Sequence, residues 1–265
     1  MEKIKIVLTD VDGTLLDDEK QCPLLNVEAI KKLKDKGIYF GISTGRPVAA
    51  VLELMISWDL SQNIDFIIGS NGAEVYHMST GQLDQYNVLE PQVVRSIAKL
   101  YGDLDLAVTA YEGTTLLTNK VLPRMKKQAT LHKLNYKLTD FSKIEKSYPK
   151  VLLIMEADYQ QSVLTHAYAL QSSQYRIFAS SPVLLECVHP ELSKAFGIHK
   201  LIKGLGISAK EVLCFGDTTN DLEMLESFVG VCVSNGTQDA KAVSKYETIS
   251  NNEGGVGHFL NKYIL

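Results

Sequence analysis

Apolar, β-branched residues dominate Ile4–Thr9, and the run ends abruptly at Asp10-Val11-Asp12-Gly13-Thr14. An apolar run without alternation suits a strand covered on both faces, as in a parallel sheet. Ala29, Ile30 and Leu33 then fall on one helical face, with Asn26 able to cap the start and Gly37 the end. Ile38–Ile42 is a second strand, breaking into Ser43-Thr44-Gly45-Arg46-Pro47. Pro47 suits a first helical turn, and Ala49–Trp58 continues as a helix. Phe66–Ile68 is a third strand, ending in Gly69-Ser70-Asn71-Gly72. Strand–helix alternation of this kind predicts an α/β fold with a doubly wound, mostly parallel sheet.

Residues 83–189 read differently. Strand-like segments lie at Leu104–Ala110, Thr114–Thr118, Val151–Glu156, Arg176–Ala179 and Leu184–Val188. Helical patterns cover Pro91–Tyr101, Leu122–Leu134 and Tyr159–Gln171. The strands come as neighbours, with Glu112-Gly113 as a turn, which predicts an inserted α+β unit built on an antiparallel sheet. Alternation resumes with a helix at Lys194–Lys203 ending near Gly204, a strand at Val212–Phe215 and a helix at Leu222–Phe228. A strand at Val231–Val233 and helices at Asp239–Lys245 and Val256–Tyr263 complete the chain. The expected division is therefore 1–82 with 190–265 as the core, and 83–189 as the insertion.

Composition narrows the function. The 265 residues allow one large domain or two modest ones, and 45% hydrophobic with 22% charged residues is ordinary for a globular protein. The net charge is −4, and the 27 Lys and Arg are scattered, so no basic stripe marks a nucleic-acid surface. A small substrate is expected instead. The opening apolar run is too short for a signal peptide or membrane span. Cys22, Cys187, Cys214 and Cys232 show no CxxC or zinc spacing and are expected as reduced thiols, mostly buried in strands. A cytoplasmic location follows by default.

Three polar clusters directly follow predicted parallel strands: Asp10/Asp12, Ser43–Arg46 and Asp217/Asn220/Asp221. Ligands of open α/β sheets bind outside the carboxyl ends of the strands, so all three clusters converge there. Several carboxylates meeting without a matching set of cations require a hard cation, and Mg²⁺ suits oxygen ligands plus phosphate and water. An anionic carboxylate can then approach phosphorus and form an aspartyl phosphate. A second acid two residues on can protonate the leaving oxygen and later activate water.

These segments resemble the motifs of the haloacid dehalogenase (HAD) superfamily. Asp10-Val-Asp12-Gly-Thr-Leu-Leu16 is similar to its first motif, and Ser43-Thr-Gly-Arg46 resembles the second motif of the Cof-type branch. Lys194 stands where the third-motif lysine belongs, Gly216-Asp217-Thr-Thr-Asn220-Asp221 matches GDxxND, and Asn251-Asn-Glu253-Gly-Gly255-Val256 resembles that branch's ending. The insertion falls where the type IIB cap belongs. The resemblance implies a HAD-like core whose cap closes over the site and excludes water. It further implies Asp10 as nucleophile and magnesium ligand, and Asp12 as general acid/base with its backbone carbonyl on the metal. Asp217 would be a third ligand, with Asn220 and Asp221 completing or orienting the shell. Thr44, Gly45 and Lys194 would hold the phosphoryl group, with Asn220 and Asn71 in the phosphate- or substrate-binding set. Ala195 departs from the glycine that many relatives carry after the lysine.

Each residue also has a plainer role open to it. Asn71 can be a turn residue, Arg46 can pair with neighbouring acids instead of substrate, and the cap's Tyr and Phe residues can simply fill its core. The histidines show no ligand spacing, and Gly254–Gly257 does not open a helix after a strand as a nucleotide fingerprint must. The function implied is a Mg²⁺-dependent phosphatase acting on small phosphorylated metabolites, sugar phosphates foremost. The alternatives are a phosphotransferase such as a phosphomutase, whose longer glycine-rich fourth motif is missing from 216–221, and a non-catalytic binder of a phosphorylated ligand.

Overall fold

A computed structural model describes residues 3–131, 134–156, 159–170 and 172–265. The chain divides into two compact units, Met1–Asp84 with Ser193–Leu265, and Gln85–Leu192.

The first unit opens with β1 (Ile6–Thr9), α1 (Leu24–Leu33), β2 (Tyr39–Ser43), α2 (Val48–Leu54), β3 (Phe66–Gly69), β4 (Glu74–His77) and β5 (Gln82–Gln85). The second unit holds α3 (Pro91–Tyr101), β6 (Ala107–Glu112), β7 (Thr115–Thr118), α4 (Pro123–Leu131), β8 (Asn135–Leu138), β9 (Val151–Ile154), α5 (Gln160–Leu170), β10 (Arg176–Ser181) and β11 (Leu184–Val188). The chain then returns through α6 (Lys194–Leu205), β12 (Val212–Gly216), α7 (Leu222–Ser227), β13 (Val229–Val233), α8 (Gln238–Val243), β14 (Tyr246–Thr248) and α9 (Gly255–Tyr263).

The larger sheet runs β14-β13-β12-β1-β2-β3-β4-β5, parallel from β14 to β3, with β4 antiparallel to β3. Every residue of β1, β3, β12 and β13 is buried, which explains their unbroken apolar sequences. Ile30 and Leu33 of α1, Val51 of α2 and Phe259 of α9 pack with Val7, Phe40, Ile67, Leu213 and Val231 of the strands. The β1–β2 and β1–β12 pairings lie on opposite sides of β1, so the order of the strands reverses there. That reversal opens the crevice in which doubly wound sheets bind ligands.

The second unit carries a sheet ordered β10-β11-β9-β6-β7-β8, antiparallel apart from the β7–β8 pair. Val94 and Ile97 of α3 cover one face with Val108, Val151, Leu153 and Leu185, while Met125 and Ala129 of α4 cover Leu116, Leu152 and Ile154 on the other. The α/β and α+β characters predicted from the sequence are both present.

Several boundaries differ from the pattern-based expectation. Asn26 does not cap α1, which starts at Leu24 behind Pro23. Asn26 is fully buried and bonds backbone groups elsewhere, a use of its amide that periodicity cannot register. Pro47 precedes α2 with an extended ψ of 149°, and the first helical amide, Val48 N, donates to the buried Glu74 carboxylate at 3.1 Å. A carboxylate at a helix N-terminus satisfies an orphan amide and complements the dipole. Strands β4, β5, β8 and β14 are additional to the expected set, because they are short and largely polar; β5 and β14 are the edge strands of one sheet and β8 of the other. β6 starts at Ala107 rather than Leu104. Residues 132–133 of the expected Leu122–Leu134 helix, and Gln171 at the end of Tyr159–Gln171, lie outside the described residues. The four cysteines are free thiols; Cys187, Cys214 and Cys232 are buried in β11, β12 and β13, and Cys22 is partly buried in a loop. Among the described residues no helix is long and apolar enough to cross a membrane.

The second unit buries an ion pair, Lys150 Nζ to Glu186 Oε2 at 2.8 Å, with side chains 5% and 6% exposed. Removing one partner leaves a buried charge uncompensated, so Glu186→Ala is expected to cost about 3 kcal/mol in urea unfolding. The double variant Lys150→Met/Glu186→Leu should recover most of that loss, because it removes both charges and keeps the volume.

Candidate active site

Strand ends bring the acidic turns together. Asp10 follows β1, and its amide donates to Phe215 O of β12 at 2.9 Å, tying the Asp10 turn to the neighbouring strand. Asp217 and Asp221 follow β12, and Thr44 and Gly45 follow β2. Lys194 is the first residue of α6, where Ser193 Oγ caps the helix by accepting from Phe196 N at 3.2 Å.

The Lys194 side chain is fully buried, and its Nζ lies 2.6 Å from both Asp10 Oδ1 and Asp221 Oδ1. Burial disfavours the ammonium, but Asp10 and Asp221 outweigh that and hold it charged. The other oxygen of Asp221, Oδ2, accepts from the amides of Asp217 at 3.0 Å and Thr218 at 3.2 Å. Both Asp221 oxygens are thus occupied, and this carboxylate fixes the turn and the ammonium. Asp217 Oδ1 accepts from the buried Thr14 hydroxyl at 2.8 Å.

One carboxylate oxygen from each of Asp10, Asp217 and Asp221 lies within 4.8 Å of the others. Three carboxylates share a single ammonium, and the excess negative charge shows in the proton affinities of Asp10 and Asp217. Burial pushes the Asp10 carboxyl well up, reinforced by Asp221 and Asp217 against the pull of Lys194. Asp217 is pushed up to about 6, first by burial and then by Asp221, against the Thr14 hydrogen bond. Gly13 has φ +86°, and a Cβ there would sit 2.7 Å from Asp217 Oδ2, so the glycine leaves that oxygen accessible. Hard oxygen donors with uncompensated charge and an open side fit a divalent cation such as Mg²⁺.

Asp12 is separate from that cluster. Arg46 grips it through two bonds, Nε to Oδ2 at 2.7 Å and a terminal nitrogen to Oδ1 at 2.9 Å, and Lys20 Nζ adds a third at 3.0 Å. Burial alone would raise its proton affinity, but Arg46 and Lys20 together hold it well below the usual carboxylate range. Of the roles open to Arg46, pairing with a neighbouring acid is the one present.

Of the expected phosphate- and substrate-binding residues, Thr44 and Gly45 lie on the turn after β2 and Asn71 on the turn after β3, whereas Lys194 opens α6 and Asn220 follows β12. Thr44 is buried; its amide donates to Ile68 O at 2.9 Å, and its Oγ1 accepts from Arg46 N at 3.2 Å. Asn71 N donates to Thr44 O at 3.0 Å, and a Cβ on Gly45 would come 3.2 Å from Asn71 Oδ1. Ser70, Asn71 and Gly72 adopt φ of +50°, +56° and +98° in succession. This unusual run brings Gly72 so close to α6 that a Cβ would lie 2.1 Å from Ser193 O, beside Lys194. Asn220 is half-buried, and its Oδ1 is buried without a hydrogen-bond partner. Lys194, expected against phosphoryl oxygens, bridges the carboxylates of Asp10 and Asp221. Sequence reasoning misses Thr14, Lys20 and Glu74, whose partners lie in distant turns or have no motif of their own.

A doubly wound sheet with a buried aspartate–lysine–aspartate constellation at its strand reversal defines a hydrolase-like α/β enzyme core. The haloacid dehalogenase-like hydrolase model matches residues 7–260, and the chain belongs to that family, in its Cof-type branch. The 5-amino-6-(5-phospho-D-ribitylamino)uracil phosphatase YcsE of Bacillus subtilis is 28% identical, over 99% of this chain and 96% of its own. A haloacid dehalogenase-like hydrolase of Bacteroides thetaiotaomicron superposes with a TM-score of 0.89 at 27% identity, covering 98% of this chain and 99% of that one. The HAD subclass IIB sugar phosphatase BT4131 shares the fold, with a TM-score of 0.82 at 22% identity over 98% of each chain.

The charge excess has a consequence for stability. The folded chain keeps a proton on Asp217 up to about pH 6, whereas the unfolded chain releases it near 3.8. Raising the pH through that window therefore lowers stability, and Asp10 acts in the same direction. Asp12 works oppositely, but only in more acid solution. In EDTA, the thermal midpoint of wild type relative to Asp217→Asn should fall between about pH 4 and pH 7 in scanning calorimetry. A flat difference across that range would contradict the assignment.

Proposed function

We propose that this hydrolase is a phosphomonoesterase that cleaves small phosphorylated metabolites through an aspartyl phosphate on Asp10. The observation that carries the reading is the Asp10 carboxylate held at 2.6 Å by a fully buried ammonium beside two further acids. Its position is fixed, it is poor in compensating charge, and it stands where the sheet opens. The phosphatase name of YcsE and the motif order support the same reaction class.

Asp10 and Asp217, with the Asp12 backbone carbonyl, would hold Mg²⁺, and Asp221 would orient the set. The bound ion would neutralise phosphate charge so that an anionic nucleophile can approach. Asp10 Oδ attacks phosphorus as the ester P–O bond breaks, and the leaving oxygen takes a proton from the Asp12 carboxyl. Water then attacks the aspartyl phosphate, giving its proton back to Asp12, and inorganic phosphate leaves with Asp10 regenerated. Asp12 is anionic in its clasp with Arg46 and Lys20, so it serves the second step as it stands. For the first step it must leave that clasp and take up a proton. Thr44, the Gly45 amide, Asn220 and Lys194 would receive the transferring oxygens, with Asn71 on the substrate side.

Asp10→Asn is expected to lower Mg²⁺-dependent hydrolysis of p-nitrophenyl phosphate by roughly three orders of magnitude or more, with unfolding unchanged or improved. Wild-type-like turnover would remove Asp10 from the mechanism. For the substrate class, sugar phosphates are the expected group in a screen of phosphorylated metabolites, with the Asp10→Asn protein as blank. Turnover confined to metabolites without a sugar or sugar-alcohol moiety would overturn that assignment.

A further inference from the structure

The loop after the nucleophile, residues 13–18, is held by side-chain amides from elsewhere in the chain. Asn235 Nδ2 donates to Gly13 O at 2.8 Å, Asn26 Nδ2 to Leu15 O at 2.9 Å, and Asn251 Nδ2 to Leu16 O at 3.0 Å. Two of these asparagines are bridges. Asn235 Oδ1 accepts from Asn251 N at 2.9 Å, and Asn26 Oδ1 accepts from Gly257 N at 2.7 Å. Each bridge joins a carbonyl of the nucleophile loop to an amide of the C-terminal segment. Backbone partners at both ends fix which way each amide points, since only the NH₂ can donate and only Oδ1 can accept. A carboxylate at either position would lose the donor and place its charge against a carbonyl.

The Asn235 turn reaches the second acidic loop as well. Thr237 N donates to Asp217 O at 2.7 Å, and a Cβ on Gly236 would come 3.0 Å from that same oxygen. A single turn after β13 therefore holds the Gly13 carbonyl on one side and the Asp217 carbonyl on the other. These backbones lie three residues past Asp10 and at Asp217 itself. Thr14, between the held carbonyls of residues 13 and 15, donates to Asp217 Oδ1. Fixing the two loops in this way determines how far apart the two carboxylates sit before any cation arrives.

We propose that Asn235, supported by Asn26 and Asn251, is a positioning residue that presets the Asp10–Asp217 spacing for divalent-cation binding, with the C-terminal segment as its anchor. This rests on the metal-assisted reading of the site given above. Outer partners of metal ligands commonly contribute 10–100-fold to affinity. Asn235 is the member to test, because it is the exposed one of the three, whereas Asn26 and Asn251 are buried.

The experiment is calorimetric titration of Mg²⁺ into the metal-stripped full chain, as wild type, Asn235→Ala and Asn235→Asp. Urea unfolding without metal and p-nitrophenyl phosphate kinetics across Mg²⁺ concentrations accompany it. Asn235→Ala should bind Mg²⁺ about tenfold more weakly, and Asn235→Asp more weakly than Asn235→Ala. Metal-free unfolding of Asn235→Ala should match wild type, and its kcat should return to within about twofold at saturating Mg²⁺. A positioning role raises the metal requirement and leaves the chemistry intact. Unchanged Mg²⁺ affinity in both variants, with wild type binding normally, overturns this inference alone. Parallel loss of metal-free stability and kcat that saturating metal does not restore also overturns it, because the role would then be structural. A wild type that binds no Mg²⁺ overturns the metal reading and this inference with it.

Discussion

A lysine ammonium with no exposure to water cannot persist without anionic partners, and Asp10 and Asp221 supply them at 2.6 Å. The constraint works in both directions. Desolvation makes the ammonium dependent on the carboxylates, and the carboxylates, outnumbering it three to one with Asp217, depend on it in turn. Because Lys194 opens α6, Asp10 follows β1 and Asp221 follows β12, the charge balance draws three elements of the first unit together. The Ser193 cap and the close contact of Gly72 with Ser193 O then fix the helix end that carries the lysine. A buried network of this kind confers position more readily than stability.

The remaining charge excess sets the protonation of the site. Asp10 and Asp217 both hold protons more tightly than ordinary carboxyls, because burial and neighbouring acids outweigh the one ammonium. Asp12, two residues from Asp10, is held in the opposite condition by Arg46 and Lys20. Neighbouring carboxyls with proton affinities driven apart are the usual sign of divided acid–base roles. Here the affinities part because burial and neighbouring acids dominate at Asp10 and Asp217, whereas Arg46 and Lys20 dominate at Asp12.

Much of this organisation is legible along the chain. Unbroken apolar runs mark β1, β3 and β12, and the polar residues at their ends mark the turns. Asp10, Thr44, Lys194, Asp217 and Asp221 all lie in the turns or at the helix start where the motif order places them. Hidden features are those whose signal is polar or remote. Strands β5 and β8 carry almost no apolar pattern because they lie at sheet edges. Glu74 caps α2 from 26 residues away, and Asn26 resembles a helix cap although its true partners, Leu15 and Gly257, lie in other segments.

The amino-acid sequence by itself determined the order of the strands and helices that carry an apolar pattern, the α+β character of the insertion and the residue types available for chemistry. Local propensity, periodicity and turn chemistry act over a few residues, so they can be read along a line. Tertiary structure alone decided that Lys194 bridges two carboxylates, that Arg46 and Lys20 clasp Asp12, and that Asn235 ties the Gly13 carbonyl to the segment at Asn251. Those pairings join residues up to 222 positions apart. Their formation depends on distances across a folded sheet, and no periodicity along the chain encodes a distance of that kind.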